Sequence, residues 1–139
     1  MILVPALALL FLSPAKEDPR PHVPATRLAK VAHQLAIDEG WPIDQQGYTF
    51  DPMLPTTDDG FDSIGLYKKA HLVRMYSVDR STGDIVDFMR GCDLFDFKDL
   101  EPFQSEIRRQ THAPRLTPQQ LARKAGCPKL TIVNTRWVQ

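Results

Sequence analysis

The sequence has little of what marks an active centre. It holds two cysteines and four histidines in 139 residues. None of them has metal-ligand spacing: there is no Cys-x-x-Cys, no His-x-x-x-His and no dense Cys/His cluster. Neither a metal site nor a cofactor is expected. The seven glycines are scattered, so there is no Gly-rich loop to cradle a phosphate. Neither sign of charge is in excess, with 17 basic and 17 acidic side chains, which argues against a nucleic-acid binder. The longest apolar run, residues 2–12, is too short for a bilayer of about 30 Å, which needs about 20 residues.

What is present begins with that run. The first fifteen residues carry no charge, residues 13–15 are Ser-Pro-Ala, and Lys16-Glu17-Asp18 then turns abruptly polar. This pattern predicts a secretory signal cleaved after Ala15, although no Lys or Arg precedes the run. The expected location is secreted or periplasmic, with no membrane span left after cleavage. Pro19, Pro21 and Pro24 mark residues 16–25 as an extended linker. In an exported chain the pair Cys92 and Cys127 reads first as one disulfide, with two buried thiols as the alternative.

Residues 26–139 read as one α+β domain. Leu28, Val31, Ala32, Leu35 and Ala36 repeat at helical spacing, with Thr26 to cap the start and Gly40 to end the helix. Residues 48–51 alternate as a short strand that Pro52 closes, and residues 56–65 read as a polar loop. Residues 66–78 form the next strand, residues 79–84 a turn, and residues 85–92 the return strand. Residues 99–110 are helical. Thr117, Pro118 and Gln120 make a capping box for a last helix that Gly126 ends, and a strand follows over residues 130–138.

No catalytic residue emerges. Gly60-Phe61-Asp62-Ser63-Ile64-Gly65 imitates a nucleophile elbow, but Phe61 stands where that motif requires glycine. Ser63 is read as a loop residue. Cys92 with His33, His71 or His112 as base would need an adjacency that spacing alone does not supply. Asp58, Asp59 and Asp62 lack the order of a calcium loop.

The hairpin Tyr76-Ser-Val-Asp-Arg-Ser-Thr-Gly-Asp-Ile-Val86, with the helix before it and the export signal, resembles the strand–turn–strand of PepSY-type domains. The resemblance covers about residues 26–92. Residues 52–65 are a longer insertion than that module needs, and residues 93–139 lie outside it as a C-terminal extension of helices and a strand. It implies a cystatin-like fold, with a helix packed on a small antiparallel sheet, and a non-catalytic envelope role that includes restraint of peptidases. The expectation is therefore an exported protein that binds a peptide or envelope protein, with an exposed edge strand as the physical route. Tyr48, Phe50 and residues 53–65 are its candidate contact surface, with Tyr67 and Trp137 as weaker members. The rival reading is a small-ligand binder or enzyme with a pocket between helix and curved sheet, in which His71 and Arg74 converge.

Overall fold

The computed structural model describes residues 21–53 and 59–136. The expected signal, residues 16–20 of the expected linker, Asp58 and Trp137 lie outside them. The fold is α+β, with three helices on a six-stranded sheet.

Helix α1 spans Ala25–Glu39 and buries Leu28, Val31, Ala32, Leu35 and Ala36, the stripe its periodicity marks. It ends as expected at Gly40, whose φ of 93° lets its N–H reach Ala36 O and Ile37 O. The start differs. Pro24, not Thr26, is the N-cap, and no side chain caps it locally. The Asp62 carboxylate instead accepts the Val23 N–H at 2.6 Å and contacts His22 Nδ1 at 2.6 Å. The end of the expected linker is thereby pinned to the sheet.

The sheet runs β1 (Tyr48–Met53), β2 (Phe61–Lys68), β3 (His71–Asp79), β4 (Ile85–Asp87), β5 (Asp93–Phe95) and β6 (Thr131–Val133), with neighbours in sequence order. Every pairing is antiparallel except β5 with β6, so the sheet is mixed where an antiparallel one was expected. A parallel pair needs a long crossover. Residues 96–130 supply it, carrying the short 3-10 turn Lys98–Leu100, helix α2 (Glu101–Thr111) and helix α3 (Pro118–Ala125).

Several expected segments are corrected. Strand β1 runs through Pro52, read as its stop, to Met53; the return strand read over residues 85–92 ends at Asp87; and among the described residues the last strand is Thr131–Val133. The reading of residues 56–65 as a loop fails from Phe61 onward, because Phe61–Lys68 is a strand and Ser63 sits within it. The single strand expected over residues 66–78 is a tight hairpin that turns at Lys69 and Ala70, with φ of 48° and 67°. Such turns favour Asn-Gly, so nothing in Lys-Ala announces one. A bulge between Leu66 and Tyr67 then shifts the register. Val73 and Arg74 both reach the α1 side, while Leu72 lies beside Gly65 on the other.

The sheet carries a core on each face. Ile64, Leu66, Tyr76, Val78, Ile85 and Phe95 meet α1, together with Leu100 and Ile107 from the α2 region. Phe61 and Val86 point the other way, to Leu121 and Ala122 of α3 and to Leu130. Thr117 caps α3 with the full capping box that its sequence spells. Cys92 is bonded to Cys127, with Cα atoms 5.9 Å apart, and Thr131 N donates to Cys92 O where the parallel pair begins. The bridge therefore fixes the far end of the crossover.

Opening a link that spans 35 positions should cost about 4 kcal/mol in the chain-entropy picture. Urea unfolding of the Cys92→Ser/Cys127→Ser variant should show a midpoint lowered accordingly. An unchanged midpoint would refute a stabilising role for the bridge.

Candidate functional site

Arg74 is the one cation in a nest of carboxylates. It alternates with Tyr76 and Val78 on the α1 face of β3, which places its side chain under the end of α1, where it is 3% exposed. Its Nε and Nη2 donate to Glu39, the last residue of α1, at 3.1 and 2.8 Å. Its Nη1 donates to Asp93 at 2.6 Å and to Asp87 at 3.3 Å. The guanidinium also lies 4.6 Å from the Phe95 ring centroid. Tyr76 Oη and Trp41 Nε1 both donate to Glu39 Oε1. Asp87 further accepts the backbone N–H groups of Met75, Met89 and Arg90, which shapes the turn out of β4. Burial disfavours the charge on Arg74, but Glu39, Asp93 and Asp87 outweigh it and hold its pKa above the ordinary value. Burial, reinforced by the Glu39 charge, pushes Tyr76 well above the usual phenol range.

A second polar centre sits at the opposite end of the sheet. Asp79 Oδ1 accepts Ser81 N, Ser81 Oγ and Lys124 Nζ of α3. Thr111 Oγ1 and Arg108 Nη1 of α2 donate to Ser81 O and Thr82 O. The turn expected over residues 79–84 is present and is largely buried beneath both C-terminal helices.

The sequence-predicted contact residues are dispersed. Tyr48 and Phe50 are half-buried on edge strand β1 and pack toward α1, Tyr48 beneath Lys68 Nζ at 5.2 Å and Phe50 beside the His33 ring at 5.9 Å. Tyr67 lies on the opposite face, against the space beside Gly65. His71 is exposed next to the hairpin tip. Arg74 is enclosed in its ion cluster, so His71 and Arg74 do not converge on a pocket. The space between α1 and the sheet, where that pocket was expected, is filled by Leu28, Leu35, Leu66, Tyr76 and Val78. Edge strand β1 is blunted, because Pro52 has no N–H to offer an added strand.

The nucleophile candidates are engaged otherwise. Both cysteines are in the bridge, and Ser63 Oγ is hydrogen-bonded to Ser77 Oγ at 2.6 Å. Asp59 caps the Phe61 N–H. Among the described residues no group of three His, Cys, Asp or Glu side chains could hold a metal ion, and no helix is long and apolar enough to cross a membrane.

Sequence reasoning missed Glu39, Asp87 and Asp93 as partners of Arg74. The one signal for them was Arg74 itself, a cation breaking an apolar strand face. It also missed the grooves on the surface. One of about 850 Å³ runs between α1 and α2, bordered by Arg27, His33, Asp99 and Phe103, with Arg27 bridged to Glu106 at 2.9 Å. A smaller one, of about 370 Å³, lies between α3 and residues 127–130.

No family profile matches the chain, and no curated protein matches it in sequence. Among solved structures it is similar to a chain in the structure of a type VI secretion system effector-immunity complex from Pseudomonas protegens. The TM-score is 0.62 at 17% sequence identity, over 83% of this chain and 96% of that one. At that identity the likeness is one of fold.

Two outcomes follow from the charges. Arg74→Met would leave Glu39 and Asp87 buried without their cation and should cost about 3–5 kcal/mol in urea unfolding. A loss below about 1 kcal/mol would show that the cluster does not hold α1 to the sheet. The second concerns Asp38, at the end of α1. Burial, with the neighbouring carboxyl of Asp99, raises its pKa from 3.8 to about 6. Its Oδ2 is buried with no donor, which a proton between the two carboxyls supplies. Since the folded chain holds that proton more tightly than the unfolded one, native stability should fall as pH rises from about 4 through about 6. Asp38→Asn should raise the melting temperature above pH 7 and flatten that part of the profile. An unaltered profile would exclude the shared proton.

Proposed function

We propose that this chain is a non-catalytic, exported binding protein, one member of a matched protein pair whose role is to engage and restrain its partner. The observation that carries this reading is the likeness of fold to a chain of an effector-immunity complex, spanning 96% of that chain. Three features of the molecule support it. The two nucleophile candidates of the sequence, Cys92 and Ser63, are held in a disulfide and a Ser–Ser hydrogen bond. The interior is filled and cross-linked by ion pairs, which suits a preorganised surface. The disulfide fits an oxidising compartment such as the periplasm or the extracellular space. The PepSY resemblance of residues 26–92 points to the same class of role, restraint of another envelope protein such as a peptidase.

The test is capture followed by reconstitution. The disulfide-bonded chain from residue 16 onward is incubated with envelope and secreted fractions of its source, and a stoichiometric partner is purified and remixed. A one-to-one complex by size exclusion with light scattering, with a dissociation constant of about 10 nM or tighter, is the expected result. Failure of every retained protein to co-elute after remixing would overturn the reading.

A further inference from the structure

The zero net charge conceals a division along the chain. All 17 acidic side chains lie at or before Glu106, while residues 107–139 hold seven of the 17 basic ones. Four of those seven have partners within the fold. Arg108 and Arg115 meet Glu101 at 3.2 and 3.5 Å, Lys124 meets Asp79 at 2.8 Å, and Arg136 donates to Ile37 O. Arg109, Arg123 and Lys129 are exposed and meet no carboxylate among the described residues. Two of these three, Arg123 and Lys129, border the same groove.

That groove is built, and its shape is fixed from several sides. One wall is α3, entered at Pro118 and held by its capping box. The other is the segment 127–130, stiffened by Pro128. Its floor is apolar and closed: Ala122, Cys127 and Leu130 are all buried. Cys127 is anchored by the disulfide, and Lys124, one residue from Arg123, is anchored on Asp79. A volume of about 370 Å³ has room for one or two side chains. The backbone and floor of the groove have little conformational freedom left to lose on binding, which leaves the ordering of Arg123 and Lys129 as the main entropic cost.

We infer that this groove is the docking point for the protein partner, a step that rests on the binding-protein reading. The matching occupant is a protein segment with an apolar side chain for the floor and carboxylates beside it for Arg123 and Lys129. Residues 107–139 hold no acidic side chain of their own to neutralise them. A nucleic acid fits less well, because the recess is small, its floor is apolar, and its rim offers two cations rather than a track of them.

A phage-displayed library of random peptides tests this without the natural partner. Selection on the disulfide-bonded chain should enrich peptides that combine Asp or Glu with an apolar residue. Their affinity should fall about tenfold in Arg123→Glu/Lys129→Glu and stay unchanged in Lys98→Glu, an exposed reversal elsewhere. If the double reversal melts abnormally, Arg123→Gln/Lys129→Gln decides, with a smaller loss in the same direction. Peptides without acidic enrichment, or binding indifferent to these changes, would overturn the inference. So would a labelled oligonucleotide bound and lost in the same variants, or self-association of the chain that the reversal abolishes. A natural partner that binds the double reversal normally would refute the groove and leave the binding-protein reading standing. Selected peptides that depend on the groove while no natural partner is found would do the reverse.

Discussion

The fold turns on one guanidinium. Arg74 is the cation through which the end of α1, the exit of β4 and the entry of β5 are joined, by way of Glu39, Asp87 and Asp93. A buried ion pair is a modest net source of stability, because desolvating the charges offsets much of their attraction. Its effect is on alternatives. Any slip of β3 by one residue would send Arg74 to the other face and strand three carboxylates, two of them fully buried. Arg74 faces Glu39 by regular alternation with Tyr76 and Val78, and the bulge beyond it, between Leu66 and Tyr67, brings Val73 to the same side and sends Leu72 to the other.

The opposite end of the sheet repeats this logic with a turn in place of a strand. The hairpin 79–84 has its own geometry, with Gly83 at a φ of 78° and Asp79 bonded to Ser81. It then serves as the post on which α2 and α3 are hung, through Arg108, Thr111 and Lys124. The two C-terminal helices lie on opposite faces of the sheet, and the disulfide closes the path between them and β6. Among the surfaces left over are the blunted β1 edge, the α1–α2 groove and the basic recess beside α3. The last of these combines a rigid apolar floor with side-chain charge unmatched inside the fold.

Much of the architecture was legible. The stripe of α1, the Gly40 stop, the Thr117 capping box and the Asp79–Gly83 turn all follow from local chemistry, and local chemistry wrote them into adjacent residues. The β2–β3 hairpin was not legible, because Lys69 and Ala70 adopt positive φ against their preference and are held there by the pairing of their flanking strands and by the bond from Lys69 N–H to Gly47 O. The parallel β5–β6 pair was hidden for a related reason: nothing in three residues states which neighbour they will find across a crossover of 35. Of the expected contact residues, Tyr48 and Phe50 share one side of the edge strand, while Tyr67, His71 and Arg74 were separated by a bulge and a turn that periodicity cannot see.

By itself, the sequence determined the class of the fold, the stops of α1 and α3 and the capped start of α3, because these are set by residues close in the chain. It allowed a single pairing of two cysteines, and the structure shows that pairing formed. Tertiary structure decided what the charges do. Arg74 reads as an interruption until three carboxylates from three elements converge on it, and Arg123 and Lys129 read as ordinary surface until their neighbours prove to be an apolar recess. Charge acts through distance and dielectric, and both are properties of the assembled fold that the order of residues does not contain.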